Sequence, residues 1–224
     1  MPMILHREIE SLQRRMLDLG SRVEEAVRGA IRALETHDTA LAQRVEAEDA
    51  AIDAEEVALE EACLKVLALH QPVAVDLRVI IAVLKINNDL ERIGDFAVAI
   101  ARHARPAGPP GVPWPGELSL LTARATRMAA DALDAFVRLD RPAARAVCLG
   151  EEEFKKAFHT LRENTAQTLR ETREAGVVDA SLAHLAVGRS LQRICGHAVN
   201  IAEDVVYMLD GIVVRHKKMV NDEW

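Results

Sequence analysis

Residues 84–101 of the chain read LKINNDLERIGDFAVAIA. The apolar residues in this stretch recur at steps of three and four, which is the spacing of one face of an α-helix. Glu91 and Asp95 are four residues apart, so their carboxylates lie one above the other on that helix. Like charges at this spacing repel each other, and we expect solvent, an arginine or a cation to offset the repulsion.

A diverged copy of this stretch lies about one hundred residues later, at residues 191–202. A shift of 101 positions keeps the apolar positions and the arginine. The acids are not kept, because Glu91 falls on Gln192 and Asp95 falls on Gly196. The sequence therefore predicts a duplicated unit whose two copies differ in charge.

The composition favours long helices over β-sheet. The 224 residues are 50% apolar and only 3% aromatic, and the dominant residue types favour helices that pack closely through small side chains. The net charge of −7 argues against a general nucleic-acid binder, because such proteins need a basic surface to meet phosphates. The one concentrated basic run, residues 215–218, is predicted to be a charge cluster at a helix end.

Several features together predict a cytoplasmic protein. No apolar run approaches the roughly 20 residues that span a bilayer, and the longest run, residues 79–84, is predicted to be part of a buried helix. Polar residues at positions 6–8 interrupt any signal-peptide core at the N-terminus. The three cysteines lack CxxC spacing, so we expect neither disulfides nor a zinc site built from these cysteines, as is typical of a reducing compartment.

Apolar spacing and helix breakers predict six helices. Asp38 and Asp140 are predicted N-caps, Gln71-Pro72 is predicted to end the second helix, and Ala175-Gly176 is predicted to end the fifth. The predicted helices span approximately residues 4–34, 39–70, 74–103, 117–139, 140–174 and 179–216.

The proline- and glycine-rich residues 106–116 predict a stiff, extended linker between two halves. We therefore predict an all-α fold of two tandem, pseudo-repeated three-helix bundles, with the first unit at residues 1–105 and the second at residues 117–218. Short turns between the helices make neighbouring helices antiparallel.

A second acid pair, Asp49 and Asp53, lies on the second helix. Gln71 marks the centre of the helical hairpin, and Asp53 precedes it by nearly the same distance along the chain as Glu91 follows it. Asp49 and Asp95 are also almost equally far from Gln71, so an antiparallel pair of helices places the four acids at nearly the same height. If they face one groove, four carboxylates converge, and such a set of hard oxygen ligands suits a divalent or ferric cation.

Other interpretations of these acids stay open. Acid pairs four residues apart are common on long charged helices, where solvent surrounds them. Arg92 or Lys85 is also close enough in sequence to neutralise the charge of Glu91 and Asp95.

The second copy is expected to lack an equivalent cation site. Lys155 stands where the first copy has Asp53, and Gln192 and Gly196 stand where it has Glu91 and Asp95. The later pair Glu203-Asp204 adds acidic charge near the end of the sixth helix, and we predict that it faces solvent.

Three motifs resemble the PhoU family. They are NDLERIGD at residues 88–95, HAVNIAEDV at residues 197–205, and QPVAVDLR at residues 71–78, which resembles that family's opening of the third helix. The resemblance covers nearly the whole chain, twice over. It implies two three-helix bundles in tandem and a cytoplasmic negative regulator of the phosphate-starvation response.

The resemblance also implies partners and metals. It implies an adaptor between the ATPase of the Pst phosphate transporter and a PhoR-like sensor histidine kinase, which reaches the membrane through these partners only. Some PhoU proteins bind iron or zinc clusters through paired E(D)xxxD motifs. The first copy keeps both motifs, as Asp49 with Asp53 and Glu91 with Asp95, so we expect iron, zinc or another divalent cation in the first copy only. We also expect a homodimer.

The sequence favours a non-enzymatic adaptor. It contains no Gly-rich phosphate loop, no HExxH and no GxSxG motif. The alternative from another class is a carboxylate-bridged metalloenzyme on a helical bundle, but such sites need Glu-x-x-His pairs, and no acid here is followed by histidine at that spacing. A coiled-coil scaffold is a third interpretation, although strict heptads are not sustained over several turns.

Overall fold

Six long α-helices, three in each half, make up the computed structural model, which describes residues 2–104 and 114–214. The predicted all-α fold of two tandem three-helix bundles is confirmed. Within the described residues, no helix is both long and apolar enough to cross a bilayer. The helices are α1 (Pro2–Thr36), α2 (Thr39–His70), α3 (Ala74–Ala101), α4 (Gly116–Arg138), α5 (Arg141–Glu171) and α6 (Ala175–Asp210), and a 3-10 turn (Arg102–Ala104) follows α3.

The predicted caps are confirmed at the starts of α2 and α5. The carboxylate of Asp38 accepts a hydrogen bond from the Leu41 N–H at 2.9 Å, and that of Asp140 accepts one from the Ala143 N–H at 2.9 Å. Each bond satisfies an N–H group that has no partner within its own helix. At the other end of α2, Gln71 adopts a left-handed conformation and ends the helix one residue before proline, as predicted.

The predicted break at Ala175-Gly176 is wrong. Helix α5 already ends at Glu171, and Ala175 is the first residue of α6. The guanidinium of Arg173 donates to the carbonyl oxygens of residues 169, 170 and 172, so it satisfies the free carbonyls at the end of α5 without a glycine. The predicted end of the sixth helix at His216 is wrong, because α6 stops at Asp210, where Gly211 adopts a left-handed conformation (φ 72°). The basic run at residues 215–218, predicted to be a charge cluster at a helix end, lies outside the described residues.

The predicted linker falls mostly outside the described residues, which resume at Trp114. Gly116 is already helical, so α4 begins one residue earlier than expected. The indole of Trp114 donates to Ser119 Oγ at 2.8 Å, and its ring meets that of His184 edge-on at 5.5 Å. The last part of the linker therefore packs against the second half. The unit boundaries at residues 105 and 117 stay predictions.

Helices α3 and α6 lie at the centre of the molecule. Helix α3 packs on α1 and α2 within the first half, α6 packs on α4 and α5 within the second half, and the two pack against each other. They run antiparallel, because Lys85 pairs with Asp204 while Asp89, further along α3, meets His197, which comes earlier on α6. One hydrophobic core continues through both halves.

Candidate metal centre

The two predicted acid pairs come together in a groove between α2 and α3. Asp49 Oδ1 lies 3.9 Å from the position that a Cβ atom on Gly94 would occupy, so α2 faces the segment of α3 between Glu91 and Asp95. Asp53 and Asp95 both act electrostatically on the Asp49 carboxylate. A Cβ at Gly94 would lie 3.4 Å from Ile52 Cγ2, so α2 is in ordinary van der Waals contact with this turn of α3.

Burial and mutual repulsion oppose the ionisation of two of these acids. The pKa of Asp49 is raised by burial, then by the charges of Asp53 and Asp95, while Arg102 acts in the opposite direction. The pKa of Glu91 is raised by burial and then by Asp95. The groove therefore concentrates more negative charge than the nearby basic residues offset.

Arg92 is the basic residue that pairs with Glu91 and Asp95. Its Nη1 lies 3.1 Å from Asp95 Oδ2, and its Nε lies 3.3 Å from Glu91 Oε2. Lys85, the other basic residue considered from the sequence, pairs with Asp204 instead, at 2.8 Å. The Arg92 side chain is 52% exposed, so solvent screens its charge in part.

Two carboxylate oxygens in the groove lack a hydrogen-bond donor, a condition that a water molecule or a cation would relieve. Asp49 Oδ1 and Glu91 Oε2 are both buried without a hydrogen-bond donor among the described residues, the contact of Glu91 with Arg92 being an ion pair by distance only. Buried carboxylate oxygens in this situation call for a donor, a water molecule or a cation. In residues 2–104 and 114–214, no three Asp, Glu, His or Cys side chains stand close enough together to hold one ion as they are now oriented. A cation held by three or more of these residues would require the carboxylates to adopt other orientations.

The acidic groove extends further along α2 than we predicted. Burial raises the pKa of Glu56, the charges of Glu60 and Asp53 add to the increase, and Arg92 acts against it. The signal in the sequence was the spacing of residues 53, 56 and 60, which continues the acidic face of Asp49 and Asp53 by two more turns.

The corresponding groove of the second copy is organised differently. Lys155 Nζ lies 2.8 Å from Glu151 Oε2 and 3.1 Å from Glu152 Oε1, all on α5. On α6, Gly196 faces open space, with no atom within 4 Å of the position of a Cβ. The ammonium group of Lys155 thus occupies the position that Asp53 has in the first copy.

A polar cluster that the sequence did not predict lies between α3 and α6. His197 Nδ1 lies 2.7 Å from Asp89 Oδ1, and Asn200 Nδ2 donates to the same oxygen at 3.0 Å. Further along the helices, Lys85 pairs with Asp204, which is only 2% exposed, so the prediction that Glu203-Asp204 faces solvent is wrong for Asp204. The α3 residues of this cluster lie in the stretch 84–101 and its α6 residues lie in the motif at 197–205, but the sequence does not show that these two segments are in contact.

The PhoU domain matches the chain twice, at residues 16–104 and 118–205. The chain is 38% identical over 212 residues to the phosphate-specific transport system accessory protein PhoU homolog of Pseudomonas putida, covering 93% of this chain and 82% of that protein. It is 31% identical over 210 residues to the phosphate-specific transport system accessory protein PhoU of Escherichia coli (strain K12), covering 93% of this chain and 86% of that protein.

Solved structures show the same architecture. The crystal structure of PhoU from Pseudomonas aeruginosa superposes with a TM-score of 0.86 at 34% identity, covering 92% of this chain and 99% of that one. The phosphate transport system regulatory protein PhoU from Streptococcus pneumoniae superposes with a TM-score of 0.84 at 26% identity, covering 94% and 99%. Two matches to one domain, relatives similar along almost the entire chain and a shared fold together place this chain in the PhoU family.

Proposed function

We propose that this protein is a regulatory accessory of a phosphate-specific transport system. The observation that carries the proposal is the pair of PhoU domain matches, together with relatives that bear that name along almost the entire chain. Those names describe accessory proteins, which supports a non-enzymatic role over the carboxylate-bridged metalloenzyme. The lack of Glu-x-x-His pairs in the sequence supports the same choice.

We further propose that the protein acts in the cytoplasm as a negative regulator of the phosphate-starvation response. In this role it links the Pst transporter ATPase to a PhoR-like sensor histidine kinase, and it reaches the membrane through these partners only. It binds no nucleic acid, in keeping with its net charge of −7. A homodimer is part of the proposal, and light scattering on the purified protein measures its mass directly.

A binding experiment tests the adaptor role. The purified full chain is immobilised and presented with the transporter ATPase and with the sensor kinase encoded in the same genome, at high and at low phosphate. We expect capture of at least one partner, with an amount that changes between the two phosphate concentrations. Absence of binding to both proteins under both conditions would contradict the adaptor role.

We also propose that the first copy binds iron, zinc or another divalent cation through Asp49, Asp53, Glu91 and Asp95. The orphaned oxygens of Asp49 and Glu91 support this proposal. When bound, the cation would neutralise the repulsion between the acid pairs and tie α2 to α3.

Elemental analysis of variants tests the metal proposal. Asp49→Ala and Glu91→Ala should each abolish metal uptake while the helical content by circular dichroism stays that of the wild type. Glu151→Ala is the matched control, because Glu151 occupies the position of Asp49 in the second copy and already pairs with Lys155. Equal metal content in Asp49→Ala and wild-type protein would remove the proposal.

A further inference from the structure

An apolar groove is open to solvent at the end of the first half where α1 begins and α2 turns into α3. Its volume is about 640 Å³, and its walls come from the first residues of α1, the last residue of α2 and the turn that follows. The exposed large apolar side chains at this end are Met3, Ile4, Leu69, Val73, Val75 and Leu77. Val73 lines the groove and is 74% exposed, more than any other large apolar side chain in the described residues. A concentration of apolar surface of this kind marks a place that another segment or molecule covers.

The end of α6 brings the last described residues close to this groove. Arg78 Nε, near the start of α3, donates to the Met208 carbonyl oxygen at 3.4 Å, and a Cβ on Gly211 would lie 3.4 Å from Arg78 Nη1. Asp76, two residues before Arg78, lines the groove. Val214 is three residues beyond Gly211, so it lies within about 11 Å of it.

The segment of residues 215–224, which reads RHKKMVNDEW, is long enough to enter the groove. Residues 76 and 78 point to different sides of α3, because each step along a helix turns by about 100°. The segment therefore has to pass the start of α3 to reach the groove. An extended chain advances about 3.3–3.6 Å per residue, and a helix with its side chains is about 10–12 Å across. Residues 215–218 span that width, which leaves residues 219–224 for the groove.

The basic half of the segment matches the charge along this path. Residues 215–218 include one arginine and two lysines. They would pass the exposed carboxylate of Asp76 and the C-terminal end of α2, whose free carbonyl groups carry partial negative charge. His6, which also lines the groove, already pairs with Glu10.

The other half of the segment matches the groove in polarity. It contains Met219, Val220 and Trp224. An indole ring buries a large apolar area, while its N–H group can stay at the solvent edge of a groove. Val73 and Pro72 offer the apolar wall for such a ring.

We propose that residues 215–224 fold back over the start of α3 and fill this groove, with Trp224 as the apolar anchor against Val73. The segment then acts as an internal cover of an interaction surface. A protein that binds this end of the first half has to displace it, so the segment sets how readily that surface is available.

Tryptophan fluorescence of the full chain tests this proposal. The chain has two tryptophans, so Trp114→Phe leaves Trp224 as the only reporter. Its emission should lie at shorter wavelength than that of the free peptide 215–224, and acrylamide should quench it several times less efficiently. Val73→Asp in the same background should lower the docked-to-free ratio of the segment about tenfold or more, because a charged group replaces a buried valine. This variant is compatible with the fold, since Val73 is the N-cap residue of α3, where aspartate is favoured.

Leu182→Asp is the matched control, because Leu182 is 50% exposed on α6 in the second half, and it should leave Trp224 protected. Quenching of Trp224 as efficient as in the free peptide would overturn the proposal. Protection that persists in Val73→Asp would place the segment elsewhere and also overturn it. Protection that disappears on dilution would assign the groove to the segment of a second copy, which contradicts an internal cover.

A second measurement decides the matter if Trp114→Phe does not fold. In the otherwise unchanged chain, Trp224→Ser should increase the binding of the apolar dye ANS, because the groove becomes uncovered. Asn221→Ser, in the same segment, should leave dye binding at the wild-type level. Equal dye binding by Trp224→Ser and the wild type would overturn the proposal.

Discussion

The imidazole Nδ1 of His197 lies 2.7 Å from Asp89 Oδ1, and this pair joins the central helix of one half of the molecule to that of the other. Asn200 donates to the same carboxylate oxygen, and Asp89 as a whole is 8% exposed. A slip of α3 along α6 by one turn would leave a buried carboxylate without its partners, which is costly. The cluster thus fixes the register between the two halves.

Replacement of Asp89 should therefore destabilise the protein. Asp89→Ala leaves the polar groups of His197 and Asn200 half-buried without their acceptor, and we expect the free energy of unfolding to fall by about 2 kcal/mol. Urea unfolding followed by circular dichroism measures the change. Asn88→Ala, on the exposed side of the same helix, is expected to stay within about 0.5 kcal/mol of the wild type. A change at Asp89 no larger than that of this control would contradict the role of the cluster.

The acidic groove should make the metal-free protein less stable as the pH rises. Folding raises the pKa of Asp49 above its ordinary value of 3.8 and that of Glu91 above 4.5. At a pH between the ordinary and the raised pKa, the folded state therefore holds protons that the unfolded state has released. Stability therefore falls as the pH rises through that window, and it levels off above the folded pKa values.

The double variant Asp49→Asn/Glu91→Gln isolates this effect. In the presence of EDTA it should unfold at a higher urea concentration than the wild type at pH 7, and the difference should shrink as the pH is lowered towards the ordinary carboxyl pKa. Midpoints at four or five pH values give the comparison. A variant that is less stable than the wild type at pH 7 would contradict the assigned direction of the pKa shifts.

Removal of the Arg92 charge should strengthen metal binding. The guanidinium now contacts Glu91 and Asp95, so it competes with an incoming cation for the same oxygens. We expect Arg92→Gln to bind the metal on the order of tenfold more tightly, given the partial solvent screening of an exposed charge. Arg124→Gln is the control, because Arg124 pairs with Glu153 in the second half at a comparable 3.0 Å. Weaker binding by Arg92→Gln would show that the arginine supports the site instead.

Two glycines on α6 should respond oppositely to the same substitution. A Cβ on Gly188 would lie 2.8 Å from Leu161 Cδ2 and 2.9 Å from Phe158 Cε2, so Gly188→Ala should overpack the α5–α6 interface and cost about 1–3 kcal/mol. Gly196 faces open space, and Gly196→Ala should stabilise the helix by about 0.5–1 kcal/mol. Thermal unfolding of the two single variants measures both signs, and a stabilised Gly188→Ala would mean that the two helices separate more easily than their packing indicates.

Much of the fold could be predicted from local sequence signals. Helix ends set by local contacts can be predicted without the tertiary structure. Examples are the helix starts at Asp38 and Asp140 and the helix end before Pro72, where each residue acts only on neighbouring backbone groups. The position of the two acid pairs along the helix axes could also be predicted by counting residues from Gln71. Both helices rise by the same distance per residue, so residues equally far from the turn lie side by side. Pairing across one short turn is therefore predictable.

The remaining features depend on contacts that spacing does not reveal. Spacing gives the face of a helix on which Asp204 lies, but burial of that face depends on α3, which is more than one hundred residues away in sequence. The same contact pairs Lys85 with Asp204, so Glu91 and Asp95 pair with Arg92 and not with Lys85. The helix end at Glu171 was missed because Arg173, a residue with no strong signature as a cap, satisfies the last carbonyls.

The ammonium group of Lys155 gives a molecule with two similar halves an electrical polarity. One groove presents carboxylates with the exposed side chains of Arg92 and Arg102 nearby, while its counterpart carries an internal ion pair and a glycine that faces open space. A protein with a basic docking face, approaching through solution, would be steered towards the first half by charge alone, since shape and helix arrangement are alike in both. The two halves are thus similar scaffolds that differ in charge, and this difference would give an incoming basic molecule a preferred orientation.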